Sequence, residues 1–144
     1  MPALPKQVRR RLAEEFRLAA SKVAEAQDIE GKLYYFSVFF GETARQLNVH
    51  WDPDLALLHL VAQAAGQLIR GRMPLPTGAG FSPNGLPDEF LGAIDQVSDE
   101  LAAAFEGSEV DMARFYAALA RIAELTWVTT GNGAYLYKKG LLRL

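Results

Sequence analysis

The sequence predicts an all-α protein, a single-domain bundle of about five helices with a central aromatic-rich helix and a long Gly/Pro-rich loop. Three observations carry this. Apolar residues recur three and four apart along most of the 144-residue chain. Helix-capping residues stand at the heads of those runs. Half of the residues are hydrophobic, many of them alanine and leucine, which suits a packed helical protein and not a disordered one. A chain of this length makes one domain, 1–144, and can bury enough surface to need no covalent staple.

The first helix is expected over about 5–27. Val8, Leu12, Phe16, Ala19 and Val23 form one apolar stripe, with Arg10/Glu14 and Arg11/Glu15 at helical neighbour spacing on the wet side. The second is expected over about 29–47, with Asp28 as its N-cap. Its centre, Leu33 to Phe40, is apolar nearly all round. That aromatic and β-branched density also permits a strand, but the one partner strand the chain suggests lies far off at the C-terminus, so helix is preferred. A helix without a polar face must be covered on most sides. It is therefore the centre of the bundle or half of a dimer interface.

The third helix, about 53–70, begins at Asp52-Pro53-Asp54: a cap, a first-turn proline and a carboxylate at the positive end of the dipole. It reads as buried, with one narrow polar line. An irregular loop over 73–86 follows, broken by Pro74, Pro76, Gly78, Gly80, Pro83 and Gly85. The fourth helix, about 87–106, buries Phe90, Ile94, Val97, Leu101 and Phe105. The fifth, about 109–128, is capped by Ser108 and buries Met112, Phe115, Tyr116, Leu119, Ile122 and Ala123. The turn Gly131-Asn132-Gly133 leads to a tail, 134–144.

Composition removes several function classes. There is no cysteine, hence no disulfide framework, thiolate metal site or cysteine nucleophile. The net charge of −2 argues against a polyanion binder by bulk charge. No export signal and no apolar run of about 20 residues is present, so a cytoplasmic location off the membrane is expected. Neither the Gly-x-Ser-x-Gly of a serine hydrolase nor a Glu-x-x-His di-iron pattern occurs. Nothing in the sequence calls for a cofactor.

Three constellations could carry chemistry. Arg45-Gln46-Leu47-Asn48-Val49-His50 sets an arginine and a histidine with four residues between them. This resembles the short motif of HEPN-type ribonucleases, with Gln46 standing loosely at the family's polar position. The resemblance implies a metal-independent helical nuclease, usually dimeric. In it Arg45 would stabilise charge on the phosphate and His50 would move a proton. The plainer reading makes Arg45 a wet-face residue near a helix end and His50 part of the turn into the third helix. His50, Asp52 and Asp54, with Glu42 and His59 nearby in sequence, offer imidazole and carboxylates to a metal. Since Asp52 and Asp54 already serve the helix start, no metal is assigned. Third, His59, Gln63, Gln67 and Arg70 form a polar line that could bind a small ligand.

Charge is unevenly spread. Lys6, Arg9, Arg10, Arg11, Arg17 and Lys22 make the first helix basic. Eight acids and no lysine or arginine fall between Leu86 and Asp111. The basic helix carries no aromatic residues on its wet face to stack bases, so nucleic acid is weakly supported as a partner; mutual neutralisation of the two surfaces is favoured. The leading expectation is a helical protein–protein interaction or regulatory protein, partnered by itself as a homodimer or by another protein. The ribonuclease and the small-ligand binder are the alternatives.

Overall fold

The computed structural model describes residues 1, 4–69 and 88–128, with side chains for all of these except 67–69, 88–90 and 127–128. The Gly/Pro-rich loop, the side chains of Gln67 and Phe90, Arg70 and the tail therefore lie outside the described residues.

Among the described residues there are five helices and no strand. Helix α1 is Lys6–Glu25. Helix α2 is continuous but changes register: α-helical over Ile29–Tyr35, π-helical over Phe36–Glu42, and α-helical again over Thr43–Leu47. Helices α3, α4 and α5 are Pro53–Ile69, Asp88–Ala103 and Met112–Val128. They pack in a closed ring, α1 on α2, α2 on α3, α3 on α5, α5 on α4 and α4 back on α1.

The middle of the ring is filled by phenylalanines from four of its helical regions. Phe16 of α1 meets Phe40 of α2 with ring centres 5.2 Å apart and Phe105, just beyond α4, at 4.9 Å; Phe105 meets Phe115 of α5 edge-on at 5.9 Å. Phe36 and Phe40 are fully buried, whereas Tyr35 and Phe39 are half-buried and Tyr34 reaches water. Edge-to-face pairs of this kind add about 1 kcal/mol each beyond their area burial.

The tightest contact is between α2 and α3. A Cβ placed on Gly41 would lie 2.8 Å from the Ala62 Cβ; one placed on Gly66 would lie 2.7 Å from the Ser37 Cβ and closer still to its hydroxyl. Four small residues, two per helix and four apart on each, let the backbones approach. The π-helical turns place Ser37 and Gly41 against α3 where an uninterrupted α-helix would have rotated them.

Polar ties close the rest of the ring. Lys32, only 3% exposed, donates to the carbonyls of Val23 (3.1 Å) and Ala24 (3.4 Å) at the end of α1 and to Asp95 Oδ1 (2.7 Å) on α4. Its ammonium satisfies the orphan carbonyls of a helix C-terminus and binds three helices at one atom. Arg17 of α1 bonds both Asp99 and Glu106, and Arg9 donates to the Gly107 carbonyl at 2.6 Å. One basic residue of α1, Arg17, thus pairs with two acids of the α4 region within one chain.

Three local expectations are corrected. Helix α4 ends at Ala103, where its last turn tightens into three-residue bonds (Phe105 N to Ala102 O, Glu106 N to Ala103 O). Helix α5 begins at Met112, because Asp111 and not Ser108 caps it by accepting from Arg114 N at 3.1 Å. Its buried face is Phe115, Ala118, Leu119, Ile122 and Leu125, with Tyr116 and Ala123 outside.

The glycine contacts yield a matched pair of expectations for urea denaturation. Gly66→Ala should lower stability by about 1–3 kcal/mol through overpacking, against the roughly 1 kcal/mol that alanine gains in an ordinary helix. Gly92→Ala, on an exposed stretch of α4 with open space at its Cβ, should raise stability by about 0.5–1 kcal/mol. Ser37→Gly in the Gly66→Ala background should restore most of the loss.

Candidate interaction surface

The helix start at Asp52 is built as the sequence predicts. Asp52 Oδ1 accepts from Asp54 N (2.8 Å) and Leu55 N (3.1 Å). The preceding corner is clamped by Asn48, whose amide oxygen accepts from Asp52 N at 2.6 Å and whose amide nitrogen donates to Asp52 O at 3.0 Å. Between the clamps the chain turns so sharply that Trp51 adopts φ 53°, the left-handed region. A bulky residue is strained there by about 1–3 kcal/mol. Trp51 is nonetheless 76% exposed, so packing does not offset that strain, and Val49 on the same corner is equally bare.

Beyond this corner, α3 is not buried all round. At 100° per residue, Ala62 and Gly66, which face α2, put Pro53, Leu57, Leu60 and Ala64 on the opposite side. Leu57 is 41% and Leu60 65% exposed. The neighbouring flank of α5 continues this surface. Tyr116 is half exposed and donates its hydroxyl to Asp54 Oδ1 at the head of α3, and Ala120 and Ala123 follow it on the same flank, both exposed. From Leu55 to Ile69 there is no Asp, Glu, Lys or Arg. The arginines of α5 lie on its other flank, over a groove against α4, where Arg114 pairs with Glu100 at 3.1 Å and Arg121 with Glu124 at 3.2 Å.

The opposite edge of α3 is polar and gathers residues from two of the sequence constellations. Gln63 Nε2 donates to Glu42 Oε1 at 3.1 Å and lies 3.2 Å from His59 Nε2; Arg45 Nε donates to Glu42 Oε2 at 2.9 Å. The second Gln63 amide hydrogen can be accepted by His59 Nε2 in the tautomer that carries its hydrogen on Nδ1. The structure brings Arg45, His59 and Gln63 together through Glu42, a residue the sequence offered only as a possible metal neighbour. His50 is exposed on the corner, and no hydrogen bond or ion pair joins it to Arg45 among the described residues. No group of three or more metal-ligating side chains gathers among those residues, and none of their helices is long and apolar enough to cross a membrane.

No protein-family model, curated protein or solved structure matches the chain.

The Asp54–Tyr116 bond shifts both partners. For Asp54, burial pushes the pKa up, but hydrogen bonds from the Met1 amino group and from Tyr116 outweigh it and hold the carboxyl below its ordinary value. For Tyr116, the bond to Asp54, then burial and the carboxylate charges, raise the phenol. A lowered acid stabilises the fold above its unfolded pKa and ceases to do so as pH falls through the folded one. A raised phenol stabilises it below the unfolded tyrosine pKa and ceases to as pH rises through the folded one. The bond therefore contributes across the range between them.

Alkaline titration of tyrosinate absorbance, with Tyr116→Phe subtracted to isolate the group, should show Tyr116 ionising above the ordinary tyrosine range, and Asp54→Asn should return it toward that range. Trp51→Gly should raise folding stability by about 1 kcal/mol in denaturant melts, since it relieves the left-handed strain and removes little packing.

Proposed function

We propose that this chain is a helical protein–protein interaction module whose working surface is the outward face of α3 with the adjoining flank of α5. The single observation that carries the reading is the exposed, charge-free stripe of Leu57 and Leu60 beside Tyr116, Ala120 and Ala123. Large apolar residues scattered singly on a surface need no explanation, but a contiguous patch with a polar rim marks a docking site. Here the rim is the Arg45–Glu42–Gln63–His59 network on one side and the Trp51 corner at one end. Depletion of charge at the centre, with aromatic residues nearby, is the composition of an interface core. A bare tryptophan held in a strained backbone has the character of an anchor residue, because strain kept without a packing benefit needs another source of selection.

In the aromatic centre of α2, expected from sequence as the centre of the bundle or half of a dimer interface, Phe36 and Phe40 are buried, Tyr35 and Phe39 are half-buried and Tyr34 is 41% exposed. Leu57 and Leu60 add exposed apolar surface on α3.

A photo-crosslinking amino acid at position 60, in cells expressing the full chain, should form a discrete covalent adduct with another protein molecule. The same group at the exposed Glu14 of α1 should not, and Leu57→Glu should abolish the adduct at 60. Equal adducts at both positions, or none at 60, would contradict the reading. Leu57→Glu should leave folding stability within about 0.5 kcal/mol, because the side chain it replaces already reaches water.

A further inference from the structure

We propose that Glu42, Gln63 and His59 form a proton-operated latch across the α2–α3 crossing, closed while the His59 ring is neutral and opened when the ring takes up a proton. This polar edge borders the face assigned above, and the latch stands whether or not that face has a partner.

The donors at this edge are few. One nitrogen, Nε2 of Gln63, lies 3.1 Å from Glu42 Oε1 and 3.2 Å from His59 Nε2. An ionised Glu42 only accepts, so the Gln63 amide must turn its nitrogen and not its oxygen toward the carboxylate. That nitrogen carries two hydrogens. One goes to Glu42, and the other can go to His59 only while the ring nitrogen keeps a free lone pair. A proton on Nε2 fills the lone pair and sets donor against donor. Turning the amide over gives its oxygen to the ring, but the same oxygen then faces the carboxylate, and the bond to Glu42 is lost. A proton on His59 Nε2 and the Gln63–Glu42 tie are therefore mutually exclusive.

The surroundings confine the response to these side chains. A Cβ on Gly41 would lie 2.8 Å from the Ala62 Cβ and 3.9 Å from the His59 carbonyl oxygen, so the two backbones have no room to slide. Arg45 holds the other oxygen of Glu42 at 2.9 Å. Among the described residues, the charged groups that face the ring come from α2, namely Glu42 and Arg45. Helix α3 itself offers none from Leu55 to Ile69, and α5 meets it on the flank of Asp54 and Tyr116, turned away from His59. His59 is half-buried, so water reaches the ring, and histidine is the side chain that ordinarily changes charge between pH 5 and 8. With the ring neutral, the charges of Arg45 and Glu42 cancel; with the latch open, the edge carries one net positive charge.

A double-mutant cycle on Glu42→Ala and Gln63→Ala, followed by urea denaturation, reads the tie. Measurements at pH 8 and pH 5.5 bracket the ordinary histidine range and stay above the ordinary carboxylate range. The coupling should be about fivefold in the folding constant at pH 8 and less than about twofold at pH 5.5. In a His59→Ala background it should be the same at both. In the intact chain, the His59 ring resonances mark proton uptake. Nuclear Overhauser contacts from the Gln63 side-chain amide hydrogens to that ring should be present at pH 8 and absent at pH 5.5. Equal coupling at the two pH values in the chain that keeps His59, whether large or nil, would overturn the latch. So would amide contacts that survive protonation of the ring, or a ring that takes up no proton above pH 5.5.

Discussion

The close crossing of α2 and α3 is the constraint on which the rest of the structure depends. Ser37 and Gly41 on one helix meet Gly66 and Ala62 on the other, with no room for an added methyl group at either glycine. Small residues let two backbones approach, and the approach leaves no freedom to rotate α3 about its axis, because any rotation would drive a leucine into the seam. Once Ala62 and Gly66 face inward, helical geometry alone sends Leu57 and Leu60 outward and places His59 and Gln63 on the side where Glu42 can reach them. The exposed apolar stripe and the polar network beside it are two consequences of one packing choice.

The remaining contacts hold that crossing in place. The phenylalanine chain from Phe36 and Phe40 through Phe16 and Phe105 to Phe115 gives the ring a common centre. Lys32 converts the end of α1 from a set of unsatisfied carbonyls into a junction with α2 and α4. Burying an ammonium is unfavourable by itself, and here three acceptors, one of them a partly solvated carboxylate, offset the desolvation. The exposed pairs of Arg17 with Asp99 and Glu106 contribute less, since water and salt screen them; their role is to match α1 to α4 in register.

Much of the fold was legible in the residues, and the reasons are specific. The α1 stripe from Leu12 to Val23 repeats at the helical period and is buried throughout. Asp28 and Asp52 cap as read, because an aspartate ahead of an apolar run has few better uses. The π-helical register of Phe36–Glu42 was not legible: a run that is apolar on every side looks the same at any helical period. For the same reason the bare side of α3 could not be read from pattern; it is fixed by which small residues α2 accepts, a long-range fact. Helical spacing places Tyr116 in the core stripe of α5, yet its hydroxyl finds Asp54 at the surface. Ser108 begins a capping-box pattern with Asp111, but Asp111 itself stands one residue ahead of the helix that forms. The surface itself rests on residues, Leu57, Leu60 and Tyr116, that only three-dimensional packing separates from the core.

A fold whose α3 carries no charged residue from Leu55 to Ile69 and still shows leucines to water is consistent with a module made to be covered. The claim beneath all of this is the orientation of α3. Nuclear Overhauser contacts measured in isotope-filtered spectra of mixed labelled and unlabelled chains test it most directly. The account predicts strong contacts within one molecule between the Gly66 Hα and the Ser37 Hβ protons and between the Gly41 Hα and the Ala62 methyl. Contacts from the Leu57 or Leu60 methyls to Ser37 or Gly41 in their place would mean that α3 is turned the other way, and would contradict the account at its root.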